Sequence, residues 1–322
     1  MDAVSIGVDL GGTSFSVAWL GASGQLEHHQ EFETKAFRPR DEIVLDLANA
    51  ISSTAQAARE AGYTVLSVGL GFPGVIDARA GKVLLPPNFG EGWHGFALSD
   101  AIKQHTQLET HLINDARAFC FAESRLGAGV GKTDLLGITL GTGVGGGFML
   151  DGQLYLGKYC TAGEFGHQIY DPNGFICGCG SRGCLEVYTS GPSIVAAATR
   201  PLRQGRVPKL REIINNNLNN LSPQAVAQAA HAGEQECLEI FNTVARALAW
   251  GITNITHMLG VEIVVIGGGV AQAGSVLFDP VRQHLETMAR MVKHLPEIIP
   301  AKLGNNAGLI GAALWARERA II

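Results

Sequence analysis

Two segments of this chain repeat one local pattern. Residues 4–20 read VSIGVDLGGTSFSVAWL, and residues 134–150 read DLLGITLGTGVGGGFML. Each is an apolar β-type run, a glycine turn and a second β-type run, which predicts a hairpin. A chain that makes the same hairpin twice is constrained to build two similar halves. The segments after the hairpins agree: GQLEHHQEFET predicts a third strand after the first, and DGQLYLG continues the second. A helix is expected from Asp41 as its cap to Gly62, with Ile43, Leu47, Ile51 and Ala55 as its apolar stripe. Further strands are expected over TVLSVGLGFPG, HLIND and VEIVVIGGG. Further helices are expected near Ser99 and over ARAFCFAESRLGAG, EQECLEIFNTVARALAWGITNITHML and AGLIGAALWARER. Ser222-Pro223 and Asp279-Pro280 both look like an N-cap followed by a first helical residue. Alternating strands and helices in two halves point to two α/β lobes with a ligand cleft between them.

Composition narrows the class. With 322 residues, 46% of them hydrophobic, the chain can bury two cores. The net charge of −5 argues against a nucleic-acid partner. No apolar run reaches the ~18 residues of a membrane span, and MDAVSIGVDLGG does not read as a signal peptide. The six cysteines do not suggest the disulfide framework of a small secreted domain, so a cytoplasmic protein with reduced thiols is expected. Cys120, Cys160 and Cys237 are expected to be packing residues.

Four glycine loops come directly after apolar β-runs: Asp9 to Thr13, Gly69 to Gly74, Gly141 to Gly147 and Gly267 to Gly269. Glycine at such places lets backbone N–H groups approach a phosphate. Asp9, directly before the first turn, suits a Mg²⁺ that bridges phosphates. Gly141, Gly143 and Gly146, with Glu164 about twenty residues on, imitate a dinucleotide fingerprint. That fingerprint needs a helix at the loop. The next segment, FMLDGQLYLG, favours a hairpin, which removes the nicotinamide reading.

The segment GEFGHQIYDPNGFICGCGSRGCLE places His167 ten residues before Cys177, with Cys179 two and Cys184 seven residues beyond it. One histidine and three thiols are the ligand set of tetrahedral zinc, and four protein ligands make the site structural. Glu164 and Glu186 flank it. Carboxylates pinned in that way can accept hydrogen bonds from sugar hydroxyls. Asn114-Asp115 ends an apolar strand and opens a helix, the side of an α/β sheet that faces ligands. An aspartate there could take the proton of an attacking hydroxyl.

The stretches DLGGT, GLGFPGVID, PNFGEGW, NDARA, LGTGVGGG, GEFGH, CGCGSRGCLE and VVIGGG, in this order, resemble the ROK family of repressors, open reading frames and sugar kinases. The resemblance covers nearly the whole chain. It implies a two-lobed actin-like (ribonuclease H-like) ATPase fold whose cleft holds ATP-Mg²⁺ and a hexose. The smaller lobe would span residues 1–115, completed by a C-terminal helix over about 306–322, and the larger one 116–305. It further implies that Asp115 is the catalytic base for the 6-hydroxyl, and that Asn88, Asn114, Glu164, His167 and Glu186 hold the sugar. Asp9, Gly11, Gly12, Thr13, Gly141, Thr142 and Gly143 would line the phosphates and metal. Gly267, Gly268 and Gly269 would lie by the adenosine. His167 would serve both sugar and structural Zn²⁺, beside Cys177, Cys179 and Cys184. A homodimer is the family expectation.

The chain departs from the family pattern at Arg117, where asparagine is usual, and at TSGPSI, where ASG is common. Glucose is the first expectation for the substrate, with N-acetylmannosamine, N-acetylglucosamine or fructose as alternatives and polyphosphate as an alternative donor. A non-enzymatic sugar-responsive regulator is the other reading. Its DNA-reading segment would have to precede Asp9, where there is no room for one.

Overall fold

The computed structural model describes residues 2–320. Its first elements are β1 (Ala3–Leu10), β2 (Ser14–Leu20), β3 (Leu26–Glu33), α1 (Arg40–Glu60), β4 (Thr64–Phe72), β5 (Val75–Asp77), β6 (Lys82–Leu85), α2 (Leu98–Thr106), β7 (Thr110–Asn114) and α3 (Asp115–Leu126). Next come β8 (Leu135–Leu140), β9 (Val144–Leu150), β10 (Gln153–Leu154), α4 (Glu186–Thr189), α5 (Gly191–Arg203), α6 (Pro208–Ile213) and α7 (Pro223–His231). The chain ends with α8 (Gln235–Leu259), β11 (Ile263–Gly267), α9 (Ser275–Met288), β12 (Glu297–Pro300) and α10 (Ala307–Ala320).

The chain divides into two compact units. One comprises Met1–Val130, Leu154–Gly163 and Asn305–Ile322, the other Gly131–Gln153 and Glu164–Gly304. The sequence places the first boundary after residue 115, but α3 stays with the first unit. It packs on α10 so closely that a Cβ on Gly311 would lie 1.9 Å from the Ala118 carbonyl oxygen. Residues 1, 321 and 322, the outer ends of the expected smaller lobe, lie outside the described residues.

The sheet of the first unit has the order β3-β2-β1-β4-β7. β1 and β2 form the expected antiparallel hairpin, with Asp9 opposite Ser16, while β4 and β7 extend the sheet in parallel. Alternation along β1 sends Ile6 and Val8 into a core shared with Ile43, Leu47 and Ile51 of α1. Gly7, on the other face, meets α10, where a Cβ would lie 2.3 Å from the Leu309 carbonyl oxygen. On β4 a Cβ at Gly69 would lie 1.7 Å from the Ala312 carbonyl oxygen. In the sequence Gly69 reads as part of a phosphate loop; its neighbour is a helix backbone, and its small size serves packing.

The second unit repeats the plan. Its sheet runs β10-β9-β8-β11-β12, with β8 and β9 antiparallel and β11 and β12 parallel to β8. Hairpin, not helix, therefore continues the chain from Gly141 to Gly143. Leu136, Ile138, Val264 and Ile266 share its core with Phe241, Leu248 and Ile252 of α8.

Local signals behave unevenly. Ser222 caps α7 by accepting the Ala225 N–H at 3.2 Å, with Pro223 as the first helical residue. Asp41 is not a cap: α1 starts at Arg40 after Pro39, and Asp41 lies in the first turn, where its charge suits the helix dipole. Pro280 lies inside α9, not at its start. Burial of Leu277, Phe278, Val281 and Leu285 outweighs the backbone bond that proline cannot make.

Candidate active site

In the first unit the polar pair forms a built corner where β7 ends and α3 begins. Asn114 is buried and caps α3, its Oδ1 accepting the Arg117 N–H at 3.1 Å. Its Nδ2 donates to the Gly74 carbonyl at 3.0 Å and to Asp115 Oδ1 at 2.8 Å. The Ala116 N–H donates to the same Asp115 oxygen at 2.8 Å. Two donors thus fix one carboxylate oxygen of a side chain that is exposed. Gly74 has φ 90°, and a Cβ there would collide with Pro87 Cδ at 2.2 Å. That contact seats the loop carrying Asn88, which is exposed with φ 61°. Asn88, Asn114 and Asp115 are therefore linked through Gly74.

Asp9 is the last residue but one of β1, just before the Gly11–Thr13 turn, whose tip residue Gly12 is exposed and Thr13 likewise. Gly308, at the start of α10, comes so near that a Cβ would lie 2.7 Å from Asp9 Oδ2. Burial, and then the charge of Asp115, push the Asp9 carboxyl up to about 7. Two carboxylates that repel each other in this way favour a divalent cation or a shared proton. Asp9 thus fits the Mg²⁺ role read from the sequence.

In the second unit His167, Cys177, Cys179 and Cys184 come together, with one ligand atom from each lying within 4.8 Å of every other. Cys179 Sγ lies 3.7 Å from Cys184 Sγ, and Cys177 Sγ 3.7 Å from His167 Nδ1. Zinc–sulfur bonds of about 2.3 Å at tetrahedral angles place two sulfurs about 3.8 Å apart, so the set fits zinc. The loop is built for this closure. Gly183 has φ 75°, and a Cβ there would lie 1.6 Å from the Asp171 carbonyl oxygen. Phe165–His167 form one 3₁₀ turn, closed by the His167 N–H donating to the Glu164 carbonyl at 3.1 Å. Glu164 itself is exposed.

Glu186, the first residue of α4, joins this cluster to the glycine turn between β8 and β9. Its Oε2 accepts the Val144 N–H at 2.9 Å, and Cys177 Sγ lies 3.5 Å from its Oε1. A Cβ on Gly143 would lie 2.7 Å from Glu186 Oε2. The Gly191 N–H donates to the Gly141 carbonyl at 2.8 Å. Gly268, with φ 90°, abuts the Leu140 carbonyl, where a Cβ would lie 2.3 Å away. Gly141–Gly143 and Gly267–Gly269 thus meet at one end of the second sheet, with Thr142 and Gly268 exposed.

The family model for ROK proteins matches residues 5–319. The chain belongs to the ROK family. Among curated relatives, it is 35% identical to the glucokinase of Thermotoga maritima over 319 residues, covering 98% of this chain and 97% of that one. It is 32% identical to the N-acetylmannosamine kinase of Haemophilus influenzae over 313 residues, covering 97% and 95%. The crystal structure of a ROK family glucokinase from Streptomyces griseus, in complex with glucose and AMPPNP, superposes with a TM-score of 0.83 at 30% identity, covering 98% of this chain and all of that one. The fold is therefore the two-lobed actin-like ATPase fold of ROK sugar kinases.

Some residues of the site carry no signal of their role in the sequence. The Val144 N–H, the Gly74 carbonyl and Gly308 act through backbone or through the lack of a side chain. Only the glycine itself is a signal, and it does not say what approaches. Arg117 stands out in the sequence as a departure from the family pattern, but not as a buried side chain.

Proposed function

We propose that the protein is an ATP-dependent hexose kinase that transfers the γ-phosphate of ATP to the 6-hydroxyl of a hexose, glucose first among them. The observation that carries this is the Asp115 carboxylate, exposed, aimed by Asn114 and the Ala116 N–H, and electrostatically coupled to Asp9 in a ROK chain. Asp115 orients the 6-hydroxyl and takes its proton. Phosphoryl transfer has a loose transition state, so alignment and charge neutralisation supply most of the acceleration. The Gly11 and Gly141 N–H groups close their own turns, so the N–H groups of Gly12, Thr13, Thr142 and Gly143 would face the phosphates, and Gly267–Gly269 would lie by the adenosine. Asp9 would hold Mg²⁺, which neutralises phosphate charge when bound. Asn88, Asn114, Glu164, His167 and Glu186 hydrogen-bond the sugar hydroxyls. His167, Cys177, Cys179 and Cys184 would hold a structural Zn²⁺ that fixes the two glutamates.

The identity to an N-acetylmannosamine kinase supports a second reading, in which a 2-acylamino hexose is the substrate. We place the enzyme in the cytoplasm as a homodimer without a nucleic-acid or membrane partner. The net charge of −5 disfavours a nucleic-acid partner, and no helix among the described residues is long and apolar enough to cross a membrane. The deciding experiment is a coupled assay over glucose, fructose, N-acetylglucosamine and N-acetylmannosamine, with ATP-Mg²⁺ or polyphosphate as donor. Glucose 6-phosphate formed from ATP, and a loss of about 10²–10⁴ in kcat for a folded Asp115→Ala variant, are expected. Turnover of none of these sugars, together with sugar-dependent DNA binding, would favour the regulator.

A further inference from the structure

Arg117 lies on the first turn of α3, two residues after Asp115, and is 1% exposed. Removing a guanidinium from water costs several kcal/mol unless its donors are engaged. Here its Nε donates to the Ala162 carbonyl at 2.8 Å. Ala162 closes a short loop, its own N–H donating to the Leu156 carbonyl at 3.1 Å. Arg79 holds the other side of that loop, with Nη1 on the Lys158 carbonyl at 2.6 Å and Nη2 on the Gly157 carbonyl at 3.2 Å. Cys160 plugs it: buried, at φ 56°, its thiol points at Asp77 Oδ1, the oxygen that also accepts the Arg79 and Ala80 N–H groups.

The loop is therefore clamped from two sides by the first unit. The chain before Leu154 and after Gly163 belongs to the second. Directly beyond the clamp, Gly163, with φ 99°, leads into Glu164 and the 3₁₀ turn that carries His167.

We propose that Arg117 is a positioning residue for hexose recognition. Through the Ala162 carbonyl it fixes the backbone that leads, through Gly163, into Glu164 and the turn of His167. The role rests on the hexose kinase reading. It sets the hexose KM without touching sugar or nucleotide. Small displacements of a positioned group cost large factors, up to about 10² per ångström.

The test uses Arg117→Ala, Arg117→Lys and Arg79→Ala in the full-length protein, with circular dichroism and zinc content confirming the fold. Arg117→Ala is expected to raise the hexose KM about tenfold or more, leaving the ATP KM within about twofold and kcat within about threefold. Arg117→Lys, which keeps a donor for Ala162, should recover much of that loss. Arg79→Ala leaves no buried void because its side chain is at the surface, and should raise the hexose KM about two- to fivefold. Arg79→Ala also keeps the test decisive if Arg117→Ala fails to fold. A wild-type hexose KM in a folded Arg117→Ala, or in Arg79→Ala if Arg117→Ala does not fold, or an equal rise in the ATP KM, would overturn the role while wild-type turnover upholds the kinase reading. A wild-type protein that neither binds nor phosphorylates any hexose would remove both.

Discussion

Glu186 accepts the backbone N–H of Val144 at 2.9 Å while its other oxygen lies 3.5 Å from Cys177 Sγ. One carboxylate thus spans the cysteine cluster and the turn of the second glycine hairpin. Its removal leaves the buried Val144 N–H without that acceptor, at a cost of about 1–3 kcal/mol. Glu186→Ala should therefore lower kcat/KM for both ATP and hexose by about 10–100-fold, whereas a residue that only touches sugar would change the hexose term alone. Glu186→Gln keeps an oxygen for Val144 and should preserve the ATP KM. Steady-state kinetics with each substrate varied in turn separates the two outcomes.

The cysteine cluster carries the second prediction. Cys179 is exposed, so Cys179→Ser removes a thiolate ligand without opening a core cavity. Metal analysis of the purified wild type should give about one zinc per chain, and the variant should have lost it. Hexose affinity measured by calorimetry should fall in parallel, because His167 belongs to the cluster, Glu164 lies three residues before it and Glu186 two residues after Cys184. A variant that has lost zinc but keeps wild-type hexose affinity would separate the two.

How much of the fold and site is legible in the sequence depends on the kind of signal each residue gives. The doubled hairpin is legible because a strand–glycine–strand pattern is local. The structure adds that both sheets share one strand order. The clustering of His167 with Cys177, Cys179 and Cys184 is legible because cysteine at close spacing has few other uses. Gly69 misleads because a glycine at the end of an apolar run looks the same whether a phosphate or a helix lies above it, and only the distance to Ala312 decides. Pro280 misleads because proline marks a helix start only when tertiary burial does not reach further back. The place of Arg117 is not legible at all. An arginine in a helix pattern reads as solvated until the loop around Ala162, contributed 45 residues later, covers it.

Asp9 makes the third prediction, on pH. Its carboxyl is held near 7, against 3.8 for an unperturbed aspartate, first by burial and then by Asp115. The folded state therefore binds a proton that the unfolded chain has released. This contribution to stability is complete below about pH 4 and is lost as pH rises through about 7. Urea midpoints of the metal-free wild type relative to Asp9→Asn should fall over that window and then level off. If the wild-type curve ran parallel to that of Asp9→Asn, the shifted titration would be refuted. Mg²⁺ competes with the proton, so its addition should restore stability at about pH 8 in the wild type and not in the variant.

The last prediction tests the packing that holds the first unit together. A Cβ at Gly69 would lie 1.7 Å from the Ala312 carbonyl oxygen and 2.4 Å from its carbonyl carbon, both backbone atoms of α10. No rotamer can relieve that clash, so the helix must move off β4. It would take with it the Trp315 indole N–H, which donates to the Leu112 carbonyl at 2.9 Å, and the Ser67 hydroxyl bond to the Ala316 carbonyl at 3.1 Å. Gly69→Ala should cost roughly 3–5 kcal/mol in denaturant unfolding. Gly71, two residues along the same strand, gives the contrast: its Cβ would meet the Val8 carbonyl oxygen at 3.3 Å and Asp9 Oδ1 at 3.5 Å. Gly71→Ala should cost only about 1 kcal/mol and act on catalysis instead, by crowding Asp9. Equal stability losses at the two positions would mean that α10 does not dictate the size of residue 69.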